Sequence, residues 1–210
     1  MSDNCDFLVR FWGVRGSISI SDPNSVRYGG NTSCLEIRCG ERLLIFDAGS
    51  GFRYLGNKLL ETDGAIDADI FLTHTHYDHI CGIPFFKPFF DPNNRFRLSA
   101  GHLLPETTLR NVLCDMMMTP LFPVPLEIFQ SKIEFRDFTA GDALNAGADV
   151  VIRTTPLNHP DNATGYRIEF ADKSICYLTD TEHLVGELDQ NILRLIDGAD
   201  IVIYDSMYTE

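Results

Sequence analysis

Four side chains of types that bind metal ions fall within six consecutive residues of this chain, in the segment His74-Thr75-His76-Tyr77-Asp78-His79. The mostly apolar residues 69–73 precede this segment and are typical of a short buried strand. We therefore expect the cluster in a loop at a strand end. Because side chains two residues apart in an extended segment point the same way, His74 and His76 can bind one metal ion from one side.

Asp78 and His79 follow after the chain turns, so they can face a second metal ion nearby. Neutral imidazoles and a carboxylate suit zinc, iron or manganese better than calcium. The alternative is a solvated polar loop that happens to be rich in histidine. A polar loop of that kind would not usually follow a buried strand, and the segment therefore predicts a metal site.

Two later residues, His159 and Asp180, also follow predicted strands. His159 comes shortly after a predicted strand over residues 149–155, and Asp180 comes after another over residues 174–178. Each of these residues alone is more often part of a surface loop. Because the first cluster also lies at a strand end, we predict that both are metal ligands.

Length and charge limit the class of partner. A chain of 210 residues is long enough for one compact domain with a sizeable buried core. The formal net charge of −13, without a Lys/Arg-rich run, disfavours long nucleic acids and anionic membranes. A small phosphorylated molecule attracted by a bound dication remains a suitable substrate. The oligomeric state stays open.

The cysteines and the N-terminus indicate a cytoplasmic protein. The six cysteines are scattered without a Cys-x-x-Cys pair, and we expect them to be reduced thiols. Residues 1–6 are acidic and lack the pattern of a secretory signal. No stretch approaches the ~20 apolar residues that a membrane span needs.

The hydrophobic pattern alternates between strands and a few helices, without a repeat or a linker. We therefore predict one domain of mixed α and β structure over residues 1–210. The predicted strands cover residues 7–12, 33–38, 42–46, 69–73, 95–99, 149–155, 165–170, 174–178 and 201–204. Helices are predicted over residues 52–60, over about 106–118, and around Leu188, Ile192 and Leu195, with an end at Gly198.

The pattern His74-x-His76-x-Asp78-His79, with the later His159 and Asp180, resembles the metallo-β-lactamase superfamily. The resemblance is closer to its phosphodiesterase-like branch of metal-dependent hydrolases and extends over nearly the whole chain. Its further motifs are Phe11-Trp12-Gly13-Val14-Arg15-Gly16-Ser17, Tyr28-Gly29-Gly30-Asn31-Thr32-Ser33, Phe46-Asp47-Ala48-Gly49-Ser50-Gly51, Phe122-Pro123-Val124-Pro125-Leu126 and Tyr204-Asp205-Ser206-Met207-Tyr208-Thr209. The resemblance implies an α/β fold, the metallo-β-lactamase-type αββα sandwich, with two divalent metal ions along one edge. Zinc is expected first, with manganese or iron as alternatives.

The resemblance also implies a role for each ligand. The first ion is bound by His74, His76 and His159, the second by Asp78 and His79, and the bridging carboxylate is Asp180. Asp78 and Asp180 are the expected catalytic carboxylates, because they hold the two ions in place. Asp47 is implied as a carboxylate that orients a ligand imidazole. From the sequence, a turn-forming role for Asp47 before Gly49 is nearly as good an explanation.

One departure from the family pattern concerns the second ion. The family supplies a last histidine from a segment after the strand that ends near Asp205, whereas this sequence has no histidine after His183. We expect a domain that lacks its C-terminal segment, a weak second site, or another group in this place. His183 is a candidate for that group, although an exposed histidine at a helix start is the commoner case.

Two divalent ions about 3.5–4 Å apart lower the pKa of a shared water and neutralise charge on phosphoryl oxygens. We therefore predict a metal-dependent hydrolase that cleaves a phosphodiester, such as a cyclic nucleotide or a similar small diester, with a metal-activated water. An ester, thioester or lactone hydrolase at the same ions is the alternative reaction. A metal-binding or sensor module without turnover is the alternative of another class.

Several other residues have both a structural and a functional explanation. The pairs Phe85-Phe86 and Phe89-Phe90 are expected in the core, with a substrate wall or a dimer face as the alternative. The run Met116-Met117-Met118 is expected to pack in a helix. His102 is expected to be structural or solvated, and Arg15 is a candidate for contacting an anionic substrate.

Overall fold

The computed structural model describes residues 7–147 and 149–206. Residues 1–6, which include Cys5, and Met207-Tyr208-Thr209 of the last motif lie outside the described residues. The described residues form eleven strands and four α-helices, with short 3₁₀ turns between some of them. The strands are β1 (Phe7–Gly13), β2 (Cys34–Cys39), β3 (Arg42–Phe46), β4 (Asp67–Leu72), β5 (Arg95–Ala100), β6 (Lys132–Asp137), β7 (Ala143–Asn145), β8 (Val151–Leu157), β9 (Ala163–Phe170), β10 (Lys173–Leu178) and β11 (Ile201–Tyr204). The helices are α1 (Ser50–Leu59), α2 (Tyr77–Ile80), α3 (Leu109–Met116) and α4 (Gln190–Ile196).

The strands form two sheets. The first sheet has the order β1-β2-β3-β4-β5-β6, antiparallel from β1 to β3 and parallel from β3 to β6. The second has the order β11-β10-β9-β8-β7 and is antiparallel except for the pair of β10 and β11. Because β3, β4 and β5 are parallel, their carboxyl ends meet at one edge of the first sheet.

The two sheets pack face to face around a buried core, because alternate side chains of each strand point to the same face. The rings of Phe46 and Phe71 stack at 5.3 Å between centroids, and Tyr166 of the second sheet packs edge-on against Phe46. The other residues of this core are Leu35, Ile37, Cys39, Leu44, Ala146, Val150, Ile152, Ile168, Ile175 and Tyr177.

Helices cover both outer faces of the sandwich. Phe52, Leu55 and Leu59 recur at helical spacing on α1 and are buried against the first sheet, together with Leu109 and Leu113 of α3. On the second sheet, Ile192 and Leu195 of α4 are buried against β8 to β10. The layers are therefore helix, sheet, sheet and helix, which confirms the αββα prediction.

Two predicted helices begin later than the sequence pattern indicates. α3 begins at Leu109 rather than near 106, because residues 104–106 form a turn and the Thr108 hydroxyl caps the amide of Asn111. α4 begins after Asp189, whose carboxylate caps the first turn. Leu188 is consequently outside the helix and is exposed.

Strands β6 and β7 were not predicted from the sequence. In β6, half-buried and exposed residues alternate, and Ile133 and Phe135 pack against the outer core of the first sheet.

The five cysteines in the described residues are free thiols, as expected. Among the described residues, no helix has the length and apolar character of a membrane span.

Candidate metal centre

Segments that follow the carboxyl ends of three strands, β4, β8 and β10, contain the predicted ligands. The Thr73–His76 loop follows β4 and leads into α2, where Asp78 and His79 are buried. His159 follows β8 and Asp180 follows β10, so both come from the second sheet. The sheets are joined at this edge by two hydrogen bonds to the end of β4, from Tyr166 Oη to Leu72 O and from Thr164 N to Thr73 O. The structure thus brings the predicted ligands from three segments to one place.

Three imidazoles form the first donor group. Nδ1 of His76 lies 3.0 Å from Nε2 of His74 and 3.1 Å from Nε2 of His159. The ligand atoms of these three residues all lie within 4.8 Å of one another. Because Nδ1 of His76 carries either one proton or one lone pair, it can satisfy only one of its two neighbours. A cation that accepts all three lone pairs resolves this conflict.

The surroundings of His74 and His159 favour neutral imidazoles. Burial, and then the neighbouring His79, lower the pKa of His74 to about 2. Burial is also the largest cause of the lowered pKa of His159. Neutral imidazoles are the form of histidine that binds metal ions. These two residues of the first group are therefore held in the form that a metal ligand requires.

His79, Asp180 and Asp78 form the second donor group. Nε2 of His79 lies 3.1 Å from Oδ2 of Asp180 and 3.5 Å from Oδ2 of Asp78. This nitrogen is buried, yet it makes no hydrogen bond of good geometry within the described part of the chain. The ligand atoms of His74, His79 and Asp180 also lie within 4.8 Å of one another, so the two groups adjoin at His74. A buried nitrogen without a hydrogen bond, beside two carboxylates, fits a divalent cation.

The carboxylates around His79 and the His79 imidazole shift one another's pKa. Burial alone would lower the pKa of His79, but the carboxylates of Asp47 and Asp180 outweigh burial and raise it to about 10. Burial would raise the pKa of Asp180, but His79 outweighs it and holds that pKa well below its usual range. The carboxylates thus favour a positive charge at this position, and a bound dication supplies that charge.

Asp47 orients His79 from the side opposite Asp180. Its fully buried carboxylate lies 2.9 Å from Nδ1 of His79 and accepts hydrogen bonds from the amide and hydroxyl of Thr73 and from the Tyr177 hydroxyl. A proton on Nδ1 leaves the Nε2 lone pair free for a metal ion. These contacts agree with the orienting role of Asp47 rather than with a turn-forming role alone.

Comparison with known proteins identifies the family. A family model described as a β-lactamase superfamily domain matches residues 42–210, which is more than half of the chain. The chain belongs to this superfamily. Its two-sheet sandwich has the metallo-β-lactamase fold, because it matches the metallo-β-lactamase fold protein YhfI from Bacillus subtilis with a TM-score of 0.63 at 16% identity, over 92% of this chain and 68% of that one.

Among curated proteins, ribonuclease Z of Haloarcula marismortui is 28% identical over 169 residues, which are 79% of this chain and 48% of the relative. The match therefore spans about half the length of that relative. A diphosphatase from the PhnP family has a TM-score of 0.65 at 19% identity, over 92% of this chain and 72% of that one. Zn²⁺-bound PqqB of Methylobacterium extorquens has a TM-score of 0.62 at 16% identity, over 94% and 70%. At these identities the two structures show the fold alone.

Two histidines of this superfamily member lie outside both donor groups. His183 is exposed, and its Nε2 lies 2.7 Å from the Tyr204 hydroxyl. It belongs to neither group of possible ligands, and it is exposed, as in the case described above as the commoner one. His102 is buried, and its Nε2 lies 3.1 Å from Oγ1 of Thr75, so its role is structural rather than solvated.

The aromatic and methionine runs divide between core and surface. Phe86 and Phe89 are fully buried, whereas Phe85 and Phe90 are 51% and 39% exposed. The core prediction is thus correct for one member of each pair. Met117 is buried and Met118 is exposed beyond the end of α3.

The backbone amide of Ser17 lies beside the second donor group, and it was not identified from the sequence. This amide donates a hydrogen bond of 2.7 Å to Oδ2 of Asp78. The two residues are 61 positions apart, so no local pattern indicates the contact. The glycine-rich motif around Gly13 and Gly16 was the only sequence signal in its neighbourhood.

Proposed function

We propose that this protein is a metal-dependent hydrolase of phosphodiesters that uses two divalent metal ions, with zinc first and manganese or iron as alternatives. The observation that carries the proposal is the pair of adjoining donor groups, one of three imidazoles and one with carboxylates. The ribonuclease Z and diphosphatase relatives support a phosphoryl group as the target. Zinc is supported by the Zn²⁺-bound PqqB structure of the same fold.

Each donor group of the chain would bind one of the two ions. His74, His76 and His159 would hold the first ion through neutral nitrogens. Asp78 and His79 would hold the second, with Asp180 between the ions because its carboxylate borders His79 and the His74 ring. When bound, the two ions supply a nucleophilic water and neutralise charge on the phosphoryl oxygens. Asp47 keeps the Nδ1 proton of His79 in place and so preserves the Nε2 lone pair.

A cleft beside Asp180 supports a small diester as substrate. Its volume is about 530 Å³, within the range of small-molecule sites. Phe11, Val14 and Tyr204 line it with apolar surface, and Arg15 contributes a cation. The net charge of −13 disfavours a long polyanion. We propose a cyclic nucleotide or a similar small phosphodiester, handled by a single domain over residues 1–210 in the cytoplasm.

The test is the cleavage of a generic aryl phosphodiester by metal-loaded protein. Asp78→Ala and His76→Ala should each abolish metal-dependent cleavage. Asp63→Ala is a matched control for Asp78→Ala, because this exposed carboxylate lies in the turn after α1, outside both donor groups and the cleft, and it should retain the activity of the parent protein. Full activity in either ligand variant would refute the assignment.

The ribonuclease Z relative favours a second candidate, the cleavage of an RNA phosphodiester. A panel of a small diester, a short RNA, a thioester and a lactone separates these reactions. The proposal expects the small diester to have the highest kcat/KM. Preference for RNA would favour the second candidate, and preference for the carbonyl substrates would favour the ester, thioester or lactone alternative. Metal binding without turnover of any of them would indicate a sensor module.

A further inference from the structure

Two glycine-rich turns lie next to the second donor group without contributing a ligand to it. The first turn is defined here as residues 13–17 and the second turn as residues 28–32. The amides of Val14 and Arg15 both donate to Asn31 O at 2.9 Å, and Nε of Arg15 donates to Gly29 O at 2.9 Å. The two turns are thus joined by backbone and side-chain hydrogen bonds.

Close packing explains why glycine occupies position 13. A Cβ atom on Gly13 would lie 1.8 Å from the carbonyl oxygen of Thr32, a distance that no side chain tolerates. Any larger residue would therefore push the first turn away from the second turn. The position of the first turn depends on this contact.

The first turn ends at Ser17, whose backbone has a φ of +63°. This left-handed conformation is uncommon for serine, and the amide of the same residue donates a hydrogen bond of 2.7 Å to Oδ2 of Asp78. The same oxygen lies 3.5 Å from Nε2 of His79. The amide therefore holds the carboxylate oxygen that faces the second donor group.

The backbone of Asp78 is fixed by the second turn through Gly49. A Cβ atom on Gly49 would lie 2.2 Å from Asp78 O and 2.4 Å from Oγ1 of Thr32. Oγ1 of Thr32 in turn accepts the amide of Ser50 at 2.8 Å. Gly49 is therefore packed between the side chain of Thr32 and the backbone of Asp78.

We infer that the two turns form a positioning element for Asp78, which sets the affinity of the second metal ion and leaves the first ion unaffected. The inference rests on the proposed two-ion site. The contacts given above fix both the carboxylate and the backbone of Asp78. Among the described residues, neither turn makes a hydrogen bond to His74, His76 or His159, so the effect is specific to the second group.

Replacement of Gly13 by alanine tests the inference. Gly13→Ala pushes the first turn away from the second turn through the clash with the carbonyl oxygen of Thr32, and its control Gly56→Ala crowds the Phe86 ring at 2.7 Å on α1, outside both turns. Titration with Zn²⁺ or Co²⁺ should show a rise of about 10- to 100-fold in the Kd of the second ion for G13A. The Kd of the first ion should change by less than about threefold, and G56A should keep both. Equal weakening of both ions, or an unchanged second Kd, would overturn the inference.

A second measurement works in the metal-free protein and does not require G13A to fold. Asp78→Ala removes the acceptor, so hydrogen exchange at the Ser17 amide should accelerate by about tenfold or more. The amides of Val14 and Arg15, bonded to Asn31, should keep their exchange rates. Unchanged exchange at Ser17 would contradict the inference.

These readouts are independent of turnover. If the protein cleaves no phosphodiester but G13A still weakens binding of the second ion, the proposed function fails and the positioning role stands. If cleavage is confirmed while G13A binds the second ion as tightly as the parent protein, the positioning role fails alone.

Discussion

Charged and polar side chains gather at both ends of the parallel strands β3, β4 and β5, but the two ends pair them differently. At the amino ends, the carboxylate of Asp69 is almost fully buried and is bonded by the guanidinium groups of Arg97 and Arg42. Arg97 also bonds Asp67. Each charge in this cluster faces an opposite charge.

At the carboxyl ends, groups of the same kind face one another. The nitrogens of His74, His76 and His159 approach to 3.0–3.1 Å, and Nε2 of His79 is buried without a hydrogen bond in the described residues. Buried polar groups are normally satisfied, because an unpaired one costs about 1–3 kcal/mol. At the amino ends each charge has an opposite charge beside it, and only Nε of Arg42 is buried without a hydrogen bond among the described residues of that cluster. At the carboxyl ends nitrogens face nitrogens, and this is the arrangement that the proposed cations would satisfy.

The largest expected effect concerns catalysis at the carboxyl ends. Asp180→Ala removes the carboxylate beside His79, and kcat/KM for a phosphodiester should fall by about 10³-fold or more, since the ions contribute several kcal/mol. The free energy of unfolding of the metal-free protein should change by less than about 2 kcal/mol. Steady-state kinetics and urea denaturation measure both quantities. An unfolded variant would show that this end, too, serves stability.

The opposite result is expected at the amino ends. Arg97→Ala leaves Asp69 buried with less compensation, so the free energy of unfolding should fall by about 3–5 kcal/mol. Ions bound per folded chain should stay the same, because the change is at the far end of β4 and β5. Urea denaturation and elemental analysis test this pair of outcomes. A loss of bound metal in the folded variant would break the contrast between the ends.

Metal addition should stabilise the folded protein through the carboxyl ends alone. At free zinc 100 times its Kd, binding adds about 2.7 kcal/mol. For a chain of this size that corresponds to a rise in Tm of about 5–10 °C. Chelation by EDTA should reverse the rise, and His76→Ala should reduce it. A Tm that is insensitive to zinc in the parent protein would remove the case for a metal centre.

The smallest expected effect compares two buried tyrosines. Tyr177→Phe removes a hydrogen bond to the Asp47 carboxylate, and Tyr166→Phe removes one to the carbonyl of Leu72. Each should lower the free energy of unfolding by about 1–2 kcal/mol. Only Y177F should also weaken zinc binding, because Asp47 orients His79. Equal metal affinity in the two variants would argue against that orienting role.

The position of the candidate ligands at strand ends could be predicted from the sequence because they follow strands with a clear apolar pattern. His74, His76 and His79 come directly after β4, and His159 and Asp180 come after β8 and β10, as predicted. The αββα order of layers could also be predicted, because the sequence resembles a known family. These features depend on local pattern, which a single sequence carries.

The contacts that complete the site could not be predicted in the same way. Ser17 reaches Asp78 across 61 positions, and Tyr177 reaches Asp47 across 130. Such contacts arise only when the sheets pack, so no residue spacing indicates them. Strand β6 was different, since Ile133 and Phe135 alternate with polar residues and a search for period two would have detected it.

The carboxylate of Asp47 belongs to the end of β3, yet its hydrogen-bond donors come from the β4 loop and, through Tyr177, from the other sheet. The geometry of His79 is therefore a property of the closed sandwich rather than of the histidine-rich loop. A peptide or a graft that carries only residues 69–80 would contain most of the candidate ligands. It would lack Asp47 and Tyr177, which hold the His79 imidazole in its orientation. A graft of this centre onto another protein would therefore have to include residues of both sheets.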